Sequence, residues 1–130
     1  MSRKANESNA MFEELLIIET DREILDAFHT FLDRQGYSVA IAANGPEATR
    51  QLRRRRPDLI VIEPFLSDDW GERVLEQYRR SAAGVPVIGL SKYRSSRNAF
   101  PYSSYHVKPI SLALLLESIR TALHSSGWEF

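Results

Sequence analysis

The sequence predicts an α/β fold built on a parallel β-sheet. Short apolar runs alternate with longer segments whose apolar residues recur at helical spacing, which is typical of strand–helix–strand units. The apolar runs show little polar alternation, as expected of strands that are covered by helices on both faces. In such sheets, ligands and chemistry gather at the carboxyl ends of the strands. The residues that follow each strand are therefore the first candidates for function.

Five runs are predicted to be strands, and four amphipathic segments are predicted to be helices. The strand candidates are ELLII, YSVAIAA, DLIVIE, VPVIGLS and SYHVK, which begin at Glu14, Tyr37, Asp58, Val85 and Ser104. The helix candidates are DREILDAFHTFLDRQG, NGPEATRQLRRRR, DWGERVLEQYRR and SLALLLESIRTALH, which begin at Asp21, Asn44, Asp69 and Ser111. The last helix is expected to bury one apolar face, which consists of Leu112, Leu115, Leu116, Ile119 and Leu123.

Capping signals precede two of the helices. The motif TDRE predicts a capping box, in which the Thr20 oxygen accepts the N–H of Glu23 and Glu23 reaches back. Asp21 is then a first-turn acid that the helix dipole favours, or a substitute ligand that reaches a nearby pocket. Asp68 and Asp69 precede the third helix and are predicted to be its caps.

Composition is that of a soluble globular protein with one domain. The chain has 130 residues, of which 43% are hydrophobic and 26% charged, and its 17 basic residues balance its 17 acidic ones. There is no cysteine, no run long enough to span a membrane, and no signal peptide, so a cytoplasmic location is expected. We expect residues 1–12 to be a disordered tail, residues 13–125 to form the domain, and residues 126–130 to be a C-terminal tail.

A run of arginines and the three histidines are expected to have structural roles. The arginines from Arg53 to Arg56 end a predicted helix, where the dipole favours cations, and the balanced net charge does not indicate a nucleic-acid surface. The three histidines lack the spacing of metal ligands and are expected to be structural or surface residues; they are His29, His106 and His124.

Polar residues collect at the predicted carboxyl edge of the sheet. The first strand is followed by the acids and hydroxyl of Glu19, Thr20 and Asp21. The other strand ends carry a carboxylate, a hydroxyl and an ammonium, which belong to Glu63, Ser91 and Lys108. We expect these side chains to surround one pocket.

These strand-end residues, in this order, resemble a response-regulator receiver domain of two-component signalling. The resemblance runs from about Leu15 to Leu123 and is carried by LLIIETD, GYSVAIAANGPEATRQL, PDLIVIEP, PVIGLS and YHVKP. It implies a flavodoxin-like (CheY-like), doubly wound sheet of five parallel strands in the order 2-1-3-4-5. In receivers, an acidic pair and an acceptor aspartate hold Mg²⁺, and the acceptor takes a phosphoryl group.

The resemblance also assigns a role to each strand-end residue. Glu63 stands at the phosphoacceptor position, Glu19 and Thr20 stand at the acidic pair, and Lys108 matches the lysine that contacts the phosphoryl group. Ser91 and Tyr105 match the switch hydroxyl and the switch aromatic, although ordinary edge packing of Tyr105 is an equal alternative. The resemblance implies a protein partner, such as a kinase, an output domain or a second copy, that binds the region Ser91–Leu123. Nucleic-acid and membrane partners are not expected.

Departures from the family pattern concentrate on the phosphorylating half of the site. Glu63 replaces an aspartate and extends the carboxylate by roughly 1.5 Å, and an error on the order of 1 Å can cost phosphoryl transfer ~100-fold. Thr20 replaces the second acid, so Mg²⁺ binding is expected to be weak and no cofactor is assigned; Glu19 and Glu63 are the remaining weak candidate ligands. Ser91 and Lys108 are 17 positions apart, about five fewer than in receivers, which predicts a shortened or missing fourth helix and at most one irregular turn.

Three functions follow from these observations. The first is an atypical receiver, not an enzyme, that regulates partners without ordinary phosphorylation. Glu63 then either mimics the modified state or only forms a structural ion pair with Lys108. In both cases we expect the two charged groups to lie within roughly 4 Å. The second is a working receiver that still accepts a phosphoryl group. The third is a flavodoxin-like cofactor binder, which is disfavoured because ETDRE after the first strand has no glycine and its three acids would repel a phosphate.

Overall fold

The structure is a computed structural model that describes residues 12–64, 70–94 and 100–125. Its five strands form one parallel sheet in the order β2-β1-β3-β4-β5, which confirms the flavodoxin-like fold. The strands are β1 Glu14–Ile18, β2 Ser38–Ala42, β3 Leu59–Ile62, β4 Val87–Ser91 and β5 Ser104–Val107. The described helices are α1 Arg22–Arg34, α2 Gly45–Arg54, α3 Trp70–Ser81 and α4 Leu112–Ser125.

The sheet separates two apolar layers, and β1 contributes to both. Leu15 and Ile17 point to the layer that α1 and α4 cover, whereas Leu16 and Ile18 point to the layer that α2 and α3 cover. All four side chains are at most 2% exposed. Burial on both faces explains why the strand sequences lack polar alternation.

The N-terminus of α1 is capped by Asp21, so the predicted capping box at Thr20 is wrong. The Asp21 carboxylate accepts the N–H groups of Glu23 at 3.0 Å and Ile24 at 3.3 Å. Asp21 has the extended backbone of a cap residue and the helix begins at Arg22, one residue later than the capping box requires. Thr20 is exposed.

The predicted end of α2 and its first turn agree with the structure. Asn44 caps α2 by accepting the N–H of Glu47 at 2.9 Å, and Pro46 lies in the first turn as expected. The predicted caps of α3, Asp68 and Asp69, lie outside the described residues. The run Arg53–Arg56 is exposed at the C-terminal end of α2, as its interpretation as a solvated helix end requires.

Aromatic side chains cover the sheet between β4 and β5. The fourth helix of the family was expected to be short or missing between Ser91 and Lys108. In that segment the described residues 92–94 and 100–103 form no helix, and residues 95–99 lie outside the described ranges. The Phe100 ring packs 5.2 Å from the ring of Tyr78 on α3 and 5.0 Å from that of Tyr102. These rings contact the apolar layer beneath α2 and α3. The described part of the segment therefore covers the sheet with side chains instead of with a helix.

The apolar face of α4 differs from the predicted one at two residues, Leu112 and Ala122, of which Ala122 is buried although it was not predicted. Leu115 and Ile119 are fully buried, and Leu116 and Leu123 are partly buried against the same layer. Leu112 was predicted to face inward but is 38% exposed. It is the first residue of α4 and lies at the rim of a shallow groove over α1, so it remains partly in solvent.

The predicted tails lie outside the described residues, apart from Phe12, which is 52% exposed. None of the helices in the described ranges combines the length and the apolarity needed to cross a bilayer.

We expect Leu115→Ala to lower the free energy of unfolding by about 3 kcal/mol, because the truncation leaves a cavity in a fully buried position. Leu114→Ala is the matched control on the same helix. It should cost less than about 1 kcal/mol, because Leu114 is 42% exposed. Urea denaturation followed by circular dichroism measures both values, and equal losses would contradict the assigned face of α4.

Candidate functional site

The site lies where three strands of the sheet end. Glu19 directly follows β1, Glu63 directly follows β3, and Lys108 directly follows β5. Parallel strands place these positions at one edge. The end of β4 separates β3 from β5, and the long lysine side chain spans that distance.

One ammonium group joins two carboxylates in what we call the ion triad, which consists of Glu19, Lys108 and Glu63. The Lys108 Nζ lies 2.9 Å from Glu63 Oε1. It also lies 2.9 Å from Glu19 Oε1 and 3.0 Å from Glu19 Oε2. The expected contact between Glu63 and Lys108 is confirmed, and Glu19 is a second partner that the sequence did not predict.

The ion triad is largely removed from solvent. Glu19 is 2% exposed and Glu63 is 8% exposed, whereas the Lys108 side chain is 18% exposed. Burial acts to lower the pKa of Lys108, but the hydrogen bonds and charges of Glu19 and Glu63 outweigh it, so the pKa is raised. The lysine is therefore held in its charged form, and its positive charge offsets part of the negative charge of the two carboxylates.

Glu19 also connects the ion triad to the beginning of α1. Its Oε2 atom accepts the N–H of Asp21 at 2.8 Å in addition to its contact with Lys108. Asp21 in turn caps the helix, so the helix start and the buried carboxylate are fixed together. Asp21 thus lines the pocket beside Thr20, while its carboxylate is engaged by the α1 backbone.

The two predicted switch residues both contact the backbone of Tyr93. Ser91 is fully buried, and its Oγ accepts the N–H of Tyr93 at 2.9 Å. The Tyr105 hydroxyl donates a hydrogen bond to the Tyr93 carbonyl oxygen at 3.0 Å. Tyr93 was not singled out from the sequence, because neither its type nor its spacing indicates this backbone role.

A glycine in β4 admits the ring of Tyr105. A Cβ atom at Gly89 would lie 2.5 Å from Tyr105 Cδ1 and 3.0 Å from Cε1. The ring therefore lies across the face of β4, where its centroid is 5.5 Å from that of Tyr102. Glycine inside a buried strand is a signal of such close approach, and it could have identified Gly89 in advance.

The ion triad forms the floor of a cavity of about 650 Å³. Thr20 and Asp21 line one side, and Lys92 and Tyr93 line another. Apolar side chains of α1 complete the wall, so the cavity combines charged groups with an apolar surface.

The residues present do not fit a Mg²⁺ site of the kind that receivers have. Magnesium takes near-octahedral geometry, keeps several waters and is bound through one or two carboxylates, whose oxygens must be free to face the ion. Both Glu19 oxygens are bound by Lys108 and the Asp21 N–H, and Thr20 offers a hydroxyl where a second acid is expected. The Lys108 ammonium lies between the two candidate ligands, Glu19 and Glu63. Over residues 12–64, 70–94 and 100–125, no group of three His, Cys, Asp or Glu side chains is arranged to hold a metal ion.

A parallel sheet of order 2-1-3-4-5 with acids after β1 and β3 and a lysine after β5 defines a receiver fold and site. Comparison with known proteins agrees, because the family model of the response regulator receiver domain matches residues 15–120. The chain belongs to this family, whose members are signalling modules of two-component systems.

Relatives of known sequence are longer regulators. Transcriptional regulatory protein AfsQ1 of Streptomyces coelicolor is 35% identical over 114 residues, which are 84% of this chain and 50% of that protein. Transcriptional regulatory protein GlrR of Escherichia coli is 28% identical over 118 residues, which are 87% of this chain and 27% of that protein. The chain thus spans half or less of the length of these relatives.

Solved structures share the fold. A CheY-like response regulator receiver domain protein from Methanospirillum hungatei superposes with a TM-score of 0.80 at 28% identity, over 88% of this chain and 96% of that one. The receiver domain of sensor histidine kinase PA1611 from Pseudomonas aeruginosa, which was crystallised with a magnesium ion in its active-site cleft, has a TM-score of 0.76. Its identity is 24%, over 87% of this chain and 98% of that one, so this likeness concerns the fold alone.

We expect Lys108→Met to lower the free energy of unfolding by about 3 kcal/mol at pH 7, because two buried carboxylates lose the cation between them. Without the lysine, the folded state takes up a proton more readily than the unfolded state, so the loss should shrink as the pH falls towards about 5. In the parent, the raised pKa of Lys108 has the opposite consequence: its contribution is complete below the unfolded pKa and is lost as the pH rises through the folded pKa.

Urea denaturation at several pH values measures this dependence. Lys92→Met is the matched control, since Lys92 is exposed and its replacement should cost less than about 0.5 kcal/mol at any of these pH values. A Lys108→Met loss that equals the control, or that does not change with pH, would contradict the ion triad.

Proposed function

We propose that this receiver domain regulates a protein partner without ordinary phosphorylation, and that Glu63 acts in place of a phosphorylated aspartate. The observation that supports this most directly is the 2.9 Å contact between Glu63 and Lys108 in the unmodified chain. In the resembled family this lysine contacts the phosphoryl group. Here a permanent side-chain charge engages it instead.

The geometry of Glu63 also supports a loss of phosphoryl acceptance. In-line transfer depends on the position of the attacking oxygen, and a glutamate places that oxygen roughly 1.5 Å beyond the aspartate position. A phosphoryl donor would also need Lys108 to leave two carboxylates before it could neutralise phosphoryl oxygens. Because the residues do not fit Mg²⁺, we further expect millimolar Mg²⁺ to have little effect.

The two switch residues, Ser91 and Tyr105, are both held by hydrogen bonds to one backbone position. Ser91 Oγ and the Tyr105 hydroxyl bind the N–H and the carbonyl oxygen of Tyr93. The Tyr105 ring packs over Gly89, on the sheet, instead of projecting into solvent. Mimicry also predicts that Ser91 faces the Glu63–Lys108 pair, but Ser91 is not among the residues that line the cavity of the ion triad. The inward Tyr105 therefore supports the proposal, and Ser91 does not.

The partner is proposed to bind the surface formed by residues 91–123. This surface carries several large apolar side chains in contact with solvent, which are Tyr93, Val107, Leu112 and Leu114, at 48%, 44%, 38% and 42% exposure. Apolar side chains with polar neighbours are typical of protein interfaces. A kinase, an output domain or a second copy of the chain would each suit this surface.

We expect the parent to gain no phosphoryl group when it is incubated with acetyl phosphate, with or without Mg²⁺. Intact-mass spectrometry measures the product. Glu63→Asp serves as the comparison, because it restores the shorter carboxylate while the rest of the site is unchanged. A phosphoryl adduct on the parent that disappears in Glu63→Gln would instead support the working receiver with Glu63 as acceptor.

We expect Glu63→Gln to weaken partner binding about tenfold or more, because the charge-assisted contact with Lys108 is lost. The partner is first recovered with the parent chain from extracts of the native cell, and each variant is then titrated with the purified partner. Glu23→Gln, an exposed change of the same type on α1, is the control and should leave the affinity unchanged. Equal affinities of Glu63→Gln and the parent would refute the proposed mimicry.

A further inference from the structure

The outer surfaces of α2 and α3 concentrate the positive charge of the chain. Residues 45–56 and 70–81 contain eight arginines and three glutamates, an excess of five positive charges in a chain whose 17 basic and 17 acidic residues balance. All eight arginines are exposed. This face is opposite the one that α1 and α4 cover.

Only part of this charge is compensated within the chain. Five of the eight arginines interact with other groups of the chain, and these are Arg55, Arg56, Arg73, Arg79 and Arg80. Among the described residues, no ion pair involves Arg50, Arg53 or Arg54. These three guanidinium groups are available to an external anion.

A groove of about 650 Å³ runs between the two helices. Arg50 and Arg53 line it from α2, and Arg73 and Arg80 line it from α3. The four guanidinium groups outnumber the two carboxylates of the groove, which belong to Glu72 and Glu76, and Arg80 pairs with Glu76 at 3.4 Å. The groove therefore keeps an excess of positive charge that an anionic group could offset.

Helix dipoles explain only some of these arginines. Arg53 and Arg80 lie in the last turns of α2 and α3, where the dipole favours a cation. Arg50 lies in the middle of α2, where the dipole has little effect. Arg73 is the fourth residue of α3, near the end that the dipole makes positive. The groove therefore gathers cations beyond those that helix stability favours.

We propose that this groove binds a carboxylate-rich segment of a partner protein. Arginine forks match carboxylates in bidentate pairs, and Arg50 and Arg53 can present two such forks from one helix face. Glu72 and Glu76 line the same groove and would repel the continuous phosphates of a nucleic acid. A peptide can place neutral or basic residues beside these glutamates. The groove is a second interface, and its lining residues are not part of the surface that residues 91–123 provide.

The probe is a fluorescein-labelled peptide in which aspartate and glutamate alternate with alanine. A peptide of the same length with asparagine and glutamine at those positions is its control. In fluorescence anisotropy, the parent chain should bind the acidic peptide saturably, bind more weakly as salt is added, and show no binding of the amide peptide.

Matched charge variants then locate the binding. Arg50→Gln/Arg53→Gln should weaken binding of the acidic peptide about tenfold, since two exposed ion pairs are lost. Arg22→Gln/Arg34→Gln removes the same charge from exposed positions on α1 and should change the affinity less than twofold. Unchanged melting temperatures establish that both variants are folded. Equal weakening by the two variants, no binding to the parent, or tighter binding of a duplex DNA of equal charge would overturn the proposal.

Discussion

The buried ion triad is the interaction on which the site depends. Two carboxylates from β1 and β3 lie at one edge of the sheet, out of reach of most solvent, and this is tolerable only because the Lys108 ammonium lies between them. The same contacts connect three of the five strands through side chains. Glu19 extends the connection to α1 by accepting the N–H of Asp21. The beginning of that helix and the position of a buried charge in the pocket therefore depend on the same side chain.

The ion triad is also the basis of the proposal that this receiver acts without ordinary phosphorylation. Cation binding and phosphoryl transfer both need carboxylate oxygens that are free to engage an incoming group, whereas here the lysine engages oxygens of both acids. The sequence departs from the family pattern at two of these positions, where Glu63 replaces an aspartate and Thr20 replaces an acid. The proposed signalling role, which relies on a permanent charge, rests on this geometry.

Two neighbouring surfaces of the molecule differ in polarity. On the β4–β5 side, Phe100 and Tyr102 cover the sheet, and Gly89 leaves room for the Tyr105 ring. The neighbouring surface is apolar in part. The α2–α3 side is exposed, arginine-rich and polar. Phe100 and Tyr102 pack on the apolar layer that α2 and α3 cover, so the two surfaces adjoin on one side of the sheet.

The sequence by itself determined the strand and helix segments, the family, and the pairing of Glu63 with Lys108, because apolar periodicity and strand-end positions depend on local residue types. Tertiary structure decided what local patterns leave open. Thr20 and Asp21 are both good caps, and only the backbone direction after β1 selects Asp21. Leu112 has the spacing of a buried residue, but it lies at the rim of the groove over α1 and is partly exposed. Two contacts depend on distances between strands, namely that of Lys108 with Glu19 and that of the Tyr105 ring with Gly89. The packing of the whole sheet sets these distances, and no single segment of the sequence encodes them.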